Sequence, residues 1–323
     1  MSGPLNDPSG LVLLYDDLAS QLGYLMGAAT EVNKEKVNFM AHHGKGLVYV
    51  CITESHAKRL ALPLIGGAGS LQSAKAFAVS VDYTTSTTGI STFERAETIR
   101  AFARAGTKAE DFKRPGHIFP LISSDKGIIT KRNICEAAVS LADMLTKEPV
   151  AYLCEILDEK GKIASLDRLR EMAELHRLPF VTISEVTTWQ LEKTNWLDIG
   201  ERKVMKAANQ EIDVYQMTNR LNESSFTVYL RKTRDKLKRI HVYEQCIWGD
   251  LLNENQNCSC EKHFPYYFDQ LLYGTYSCLI YQRADERQPL SAEEKRVVIK
   301  QLREWIQQTD MTQKSDQKIK ELT

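Results

Sequence analysis

Arg114-Pro115-Gly116-His117-Ile118-Phe119-Pro120-Leu121 decides how this chain is read. A proline and a glycine shape the backbone just ahead of a histidine, and an apolar run follows. Imidazole changes charge near neutrality, so a histidine there is a candidate proton carrier. Thr87-Thr88-Gly89-Ile90-Ser91 lies upstream, with Glu94 three residues beyond Ser91 in a capping-box spacing. The helix so opened has Phe93, Ala96, Ile99 and Phe102 on one face. Downstream, 152–157 reads as a strand carrying Cys154-Glu155.

Further out, apolar runs at 11–15, 46–52, 77–81 and 179–183 read as strands. They alternate with helices expected over 32–43, from the Asn133/Glu136 cap to about Leu145, and from Ser165. This alternation gives an α/β (α+β) class for the first domain. Beyond it, 187–210 has mixed polarity and two tryptophans and reads as a connection. Strand-like runs resume after Val214, including 226–230, and Ser291 and Glu294 open a final helix with Val297, Val298, Leu302 and Trp305. The domain expectation is 1–186, a linker 187–210, a second domain 211–308, and a polar tail 309–323.

Together the segments around Gly89, His117 and Glu155 resemble the 3,4-dihydroxy-2-butanone 4-phosphate synthase family. Those enzymes convert ribulose 5-phosphate to a four-carbon phosphate and formate. The resemblance covers about 11–186. It implies that His117 and Glu155 are the catalytic pair, and that Thr88, Arg95, Arg114, Lys131, Arg132 and Cys135 line a substrate site. The family binds a divalent ion through a glutamate in an Arg-Glu-Asn-Glu-Gly-Asp loop and a histidine in a Gly-His-Thr-Glu loop. Here the first loop resembles Ala19-Ser20-Gln21-Leu22-Gly23-Tyr24, and the second resembles Lys131-Arg132-Asn133-Ile134-Cys135-Glu136. Serine and isoleucine stand where the ligands belong, so magnesium is not expected in this domain. Asp16 and Asp17, just upstream, read as solvated turn residues. Lys131 and Arg132 beside a helix N-terminus can hold an anion.

Tyr243-Glu244-Gln245-Cys246-Ile247-Trp248-Gly249-Asp250, followed by Asn257-Cys258-Ser259-Cys260, resembles the zinc motif of GTP cyclohydrolase II over about 212–290. The resemblance implies a zinc ion on Cys246, Cys258 and Cys260, with Asp250 and His263 near it. The glycines of that family's phosphate-binding segment are missing at Arg283-Ala284-Asp285-Glu286-Arg287-Gln288, and the chain ends early relative to that family. A truncated second domain that does not hydrolyse GTP is the expectation. The two families in this order occur in bifunctional riboflavin biosynthesis proteins, which implies a homodimer.

Composition bounds the rest. The chain has 323 residues, 43% hydrophobic and 26% charged, with zero formal net charge. That balance gives no general attraction to nucleic acid or to an anionic membrane. No apolar run approaches ~20 residues. Seven cysteines without a secretory core at the N-terminus argue against a disulfide framework, and the expected location is cytoplasmic. The expected ligand is a phosphorylated or polyhydroxy small molecule. Three function classes follow: a diverged enzyme on such a metabolite in a specialised pathway, a non-catalytic metabolite- or partner-binding relative, and a synthase with a relocated metal site.

Overall fold

The computed structural model describes residues 10–66, 76–220, 223–231, 239–251, 262–283, 292–294 and 296–306. Cys258, Cys260, Ser291, the segment 284–288 and the tail 309–323 lie outside them. Contacts divide the chain into two units, 1–190 and 191–323.

The first unit is built on a seven-stranded mixed sheet. Its strands are β1 (Val12–Tyr15), β2 (Gly23–Ala28), β3 (Lys45–Thr53), β4 (Val81–Tyr83), β5 (Phe112–Ser123), β6 (Ala151–Ile156) and β7 (Phe180–Thr182), in the order β4-β5-β3-β6-β2-β1-β7. β3 runs parallel to β5 and antiparallel to β6. Successive side chains of a strand point to opposite faces. Thus Tyr152, Cys154 and Ile156 of β6 enter one hydrophobic cluster, while Ala151 and Leu153 enter the other. Helices α1 (Lys34–Phe39), α2 (Glu54–Arg59), α3 (Thr92–Ala103) and α5 (Leu166–His176) cover the first face. Helices α4 (Ile134–Thr146) and α6 (Ile183–Lys193) cover the second. Burial on both faces explains the near-continuous apolar runs of the strands.

Local chemistry sets the boundaries. Asn33 accepts the Lys36 N–H, so the helix expected from Val32 starts at Lys34, and it ends in the π-turn Met40–Gly44. Ser91 accepts the Glu94 N–H at 3.2 Å and opens α3. Ala96, Ile99 and Phe102 are buried as read, but Phe93, in the first turn, is 60% exposed. Asn133 caps α4 through Cys135 N and Glu136 N; the Glu136 carboxylate turns instead to the Ser124 N–H at 3.1 Å. The strand expected at 77–81 is only two isolated bridges, at Phe77 and Ala78, before β4 begins at Val81.

The second unit is a five-stranded sheet of β8 (Leu197–Ala207), β9 (Gln210–Asn219), β10 (Ser225–Arg231), β11 (Ile240–Glu244) and β12 (Cys278–Gln282), ordered β11-β12-β10-β9-β8. The stretch 187–210, read as a connection, is instead the end of α6 and the whole of β8. Mixed polarity there reflects an edge strand, with most of β8 exposed and only one neighbour. One sheet face packs Val298, Leu302 and Ile306 of a helical run at 296–306. The other packs α7 (Phe264–Leu272). Among the described residues no helix is long and apolar enough to cross a membrane.

Candidate functional site

The site grows from one end of the seven-stranded sheet. Phe119 and Leu121 of β5 and Leu153 of β6 belong to the α4 face. Alternation therefore roots His117 and Glu155 on that face as well. β3 lies between their strands, so the two roots sit about 10 Å apart, at ~4.8 Å per strand. They are level along the strands. Tyr49 pairs with Phe119 on one side, and Gly46 lies against the Glu155 backbone on the other.

Asp82 of β4 fixes His117. One carboxylate oxygen accepts the His117 backbone N–H at 2.9 Å, and the other lies 2.9 Å from Nδ1. With Nδ1 donating to this carboxylate, the Nε2 lone pair is left for a ligand. The Asp82 side chain is 10% exposed and the imidazole 41%, so the holder is covered and the held group is accessible. Two glycines permit the approach. A Cβ on Gly116 would lie 2.1 Å from the Val81 carbonyl carbon. Gly89 has φ +77°, and its Cβ would lie 2.0 Å from Asp82 Oδ2.

The loop before α3 is organised by Glu94. Its carboxylate accepts the Thr87 and Gly89 N–H groups and the Thr87, Thr88 and Ser91 hydroxyls. Those donors, the Thr87 N–H first, hold its pKa down at about 2. An open cleft of about 390 Å³, lined by Ser86, Thr87, Thr88, Phe93 and Glu94, lies over this loop. Thr88 thus borders a cavity, although its hydroxyl is engaged by Glu94 at 3.3 Å.

Other expected residues are placed differently. Arg114 donates to the carbonyls of Ala109, Phe112 and Leu60 at 2.9–3.0 Å, so its guanidinium staples backbone. Cys135 is buried and its thiol points to the Leu121 carbonyl at 3.4 Å; burial raises its pKa. Arg95 is half-buried, which lowers its pKa, and it feels the Cys154 thiol. That thiol is on the opposite face of β6 from Glu155. Lys131 lies 3.9 Å from the buried Glu136 at the start of α4, and Arg132 is its neighbour there. Asp16 is a covered turn organiser rather than a solvated residue, accepting from Leu18 N, Ala19 N, Ser20 N and Ser20 Oγ.

The positions facing Glu155 are aromatic and aliphatic. Tyr24 is the direct strand partner of Glu155 and is buried; burial first, then the Glu155 and Asp16 charges, raise its pKa. Tyr49 is also buried, its pKa is raised by burial, and its hydroxyl has no hydrogen-bond partner. Ile134 is 5% exposed in the same cluster. A hard divalent cation takes oxygen ligands. Ile134 offers no ligand atom, and Ser20, whose hydroxyl donates to Asp16 at 2.6 Å, offers only a neutral oxygen in place of a carboxylate. These residues do not fit such an ion. Sequence reading missed Asp82, Tyr24 and Tyr49. An acid inside an apolar strand was the available signal for Asp82.

In the second unit Asp250 accepts from Tyr243 Oη, Cys246 N and Phe264 N, and Cys246 Sγ accepts the Gly249 N–H at 3.3 Å. His263 Nδ1 lies 4.0 Å from Asp250. The Cys246 turn is thus ordered around a sulfur. Among the described residues no three His, Cys, Asp or Glu side chains are grouped to hold an ion.

Comparison with known proteins follows this geometry. A family profile described as 3,4-dihydroxy-2-butanone 4-phosphate synthase matches residues 7–189. The synthase of that name from Oceanobacillus iheyensis is 42% identical over 181 residues, 56% of this chain and 87% of that protein. The riboflavin biosynthesis protein RibBA of Staphylococcus saprophyticus is 31% identical over 257 residues, 79% of this chain. The chain spans 65% of that relative's length. Among solved structures, RibBX, a two-domain 3,4-dihydroxy-2-butanone 4-phosphate synthase from A. baumannii, superposes with TM-score 0.61 at 25% identity, covering 89% of this chain and 83% of its own.

Proposed function

The chain belongs to the 3,4-dihydroxy-2-butanone 4-phosphate synthase family, and from that premise we propose that it is a diverged member. In this reading its first unit acts on a phosphorylated polyhydroxy metabolite, in a specialised pathway, without the family's metal-assisted elimination of formate. The observation that carries the reading is the pairing of an intact proton-handling frame with an unsuitable metal side. His117 is held by Asp82, and Glu155 stands on the same face two strands away, with β3 between them. Opposite Glu155, buried Tyr24 and Ile134 leave no ligand set for a divalent ion.

The chemistry left to these residues is proton transfer next to a carbonyl. Nε2 of His117 takes a proton from a carbon or hydroxyl of the ligand, and Glu155 accepts or returns one. A gap of about 10 Å between their roots fits a chain of a few carbons held between the two side chains. Lys131 and Arg132 at the N-terminus of α4 supply a place for its anionic end. Metal stabilisation of an enolate is worth several kcal/mol, and each ~1.4 kcal/mol is tenfold in rate, so the synthase reaction should be slower by orders of magnitude.

The test uses ribulose 5-phosphate in deuterated buffer with magnesium. Deuterium should enter the carbon beside the carbonyl, formate should not appear, and exchange should vanish in His117→Ala and Glu155→Gln. Formate at the turnover of an ordinary synthase would overturn the proposal. For the second unit we infer a zinc ion on Cys246, Cys258 and Cys260 of a truncated cyclohydrolase-like domain. The ordered sulfur of Cys246 supports this, and metal analysis of protein purified without chelators tests it.

A further inference from the structure

A second cleft lies on the opposite face of the sheet from Glu155, against Ile156 and Met172. It has a volume of about 190 Å³. Its polar lining comes from three elements. His42 and His43 belong to the π-turn Met40–Gly44, with Lys45 next to them at the start of β3. Arg168 and His176 belong to α5, and Glu159 to the loop after β6. The His43 and His176 rings are 4.4 Å apart, and His42 is 6.4 Å from His43. All three imidazoles make ring contacts and, among the described residues, no hydrogen bond; His42 and His43 are exposed and His176 is half-buried.

One exposed carboxylate bridges the two permanent cations, and Arg168 also pairs with the exposed Glu171 at 3.2 Å. Glu159 Oε2 lies 2.6 Å from Lys45 Nζ, and Oε1 lies 3.3 Å from Arg168 Nη2. The Glu159 side chain is 75% exposed. An ion pair that open to water adds little net stability, so an external anion can displace it at little cost. A lysine, an arginine and three imidazole donors around one replaceable carboxylate are the recognition chemistry of an oxyanion. The two cations also disfavour a metal ion in the same place, despite the imidazoles.

We propose that this cleft is a binding site for a phosphate group, free or as a monoester, and that Glu159 occupies it as an internal stand-in for the ligand. The phosphate oxygens take over the Lys45 and Arg168 contacts of Glu159, and His43 and His176 donate to the remaining oxygens. The site is separate from the His117–Glu155 face and does not depend on what that face does.

The test is a titration of the full chain with inorganic phosphate at low ionic strength and pH 6.5, followed by the imidazole resonances of His43 and His176 in proton–nitrogen correlation spectra. Both should move saturably. Glu159→Gln, which removes the competing charge, should lower the half-saturation concentration at least threefold. Lys45→Ala and Arg168→Ala should each raise it about tenfold or abolish it. Lys131→Ala, at the other candidate anion position, should leave the His43 and His176 response unchanged. Resonances that do not respond, or a Glu159→Gln midpoint equal to that of the wild type, would overturn the proposal. So would a response that survives Lys45→Ala but is lost in Lys131→Ala.

Discussion

His56 should make the first unit acid-sensitive in a measurable way. It lies on α2, is 8% exposed, and its Nε2 is 2.6 Å from the Arg59 Nη2. Burial, and then the Arg59 charge, hold its pKa at about 4 against an ordinary 6.5. The unfolded chain therefore takes up this proton before the folded one does. The contribution of neutral His56 to stability is fully present above pH 6.5 and is lost as pH falls toward 4. At about 1.4 kcal/mol per pH unit, the gap is worth about 3 kcal/mol. His56→Gln removes the titration while keeping polar atoms beside Arg59. Urea unfolding of wild type and variant at pH 7.5, 6.5, 5.5 and 4.5, followed by circular dichroism, isolates the residue. His43 also has a lowered pKa, from burial and its His176 neighbour, but it titrates in both proteins and cancels in the difference. The stability difference between the two should drift by about 3 kcal/mol against the wild type over that window. A difference that stays flat with pH would show that folded His56 takes up its proton as readily as the unfolded chain does, and the burial argument would fail.

Three further outcomes follow from the site. Tyr49→Phe removes a buried hydroxyl without a partner, so the ligand-free protein should gain about 1–3 kcal/mol, and a lower melting temperature would contradict this. Gly89→Ala combines positive φ with a Cβ 2.0 Å from the Asp82 carboxylate. It should cost at least ~1 kcal/mol and disturb the His117 imidazole resonance, whereas Gly127→Ala, with positive φ but open space around it, should leave that resonance alone. Changing Cys258 and Cys260 together to Ser should remove about one zinc per chain and lower second-unit stability; equal metal content in wild type and variant would count against the zinc assignment.

The parts of the fold that could be read in the sequence are those set by short-range chemistry. Caps at Ser91, Asn133 and Ser165 started helices where the spacing placed them. The apolar runs at 11–15, 46–52 and 179–183 became strands because both sheet faces are covered, while 77–81 made only isolated bridges before β4. What failed depended on partners far along the chain. β8 looks like a connection because as an edge strand it shows solvent most of its residues. Arg114 looks like a ligand-binding cation until Leu60, 54 residues away, is seen to accept from it. Cys135 looks available until the Leu121 carbonyl closes over its thiol.

The site divides along the same line. His117 and Glu155 could be singled out because each sits in its own motif. Asp82, which gives His117 its orientation, sits 35 residues upstream with no motif of its own, and only the pairing of β4 with β5 brings it within 2.9 Å. In the sequence the proposed loss of the metal side rests on Ser20 and Ile134, and the register of the neighbouring side chains was not visible there. Tyr24 takes the place opposite Glu155 through the β2–β6 register, and a phenol there fills space that a carboxylate and its ion would otherwise share. A buried phenol cannot be exchanged for a hydrated cation without moving the ring, and Tyr24 is 1% exposed within a packed face. Restoring Ser20→Glu and Ile134→His alone should therefore fail to recover magnesium-dependent formate release. Adding Tyr24→Asp, which vacates the ring's volume and supplies a carboxylate as a third ligand, should give at least a measurable rate. Formate from the double variant at the level of the triple would mean that Tyr24 does not block the ion, and that the loss of chemistry rests on the two donor positions alone.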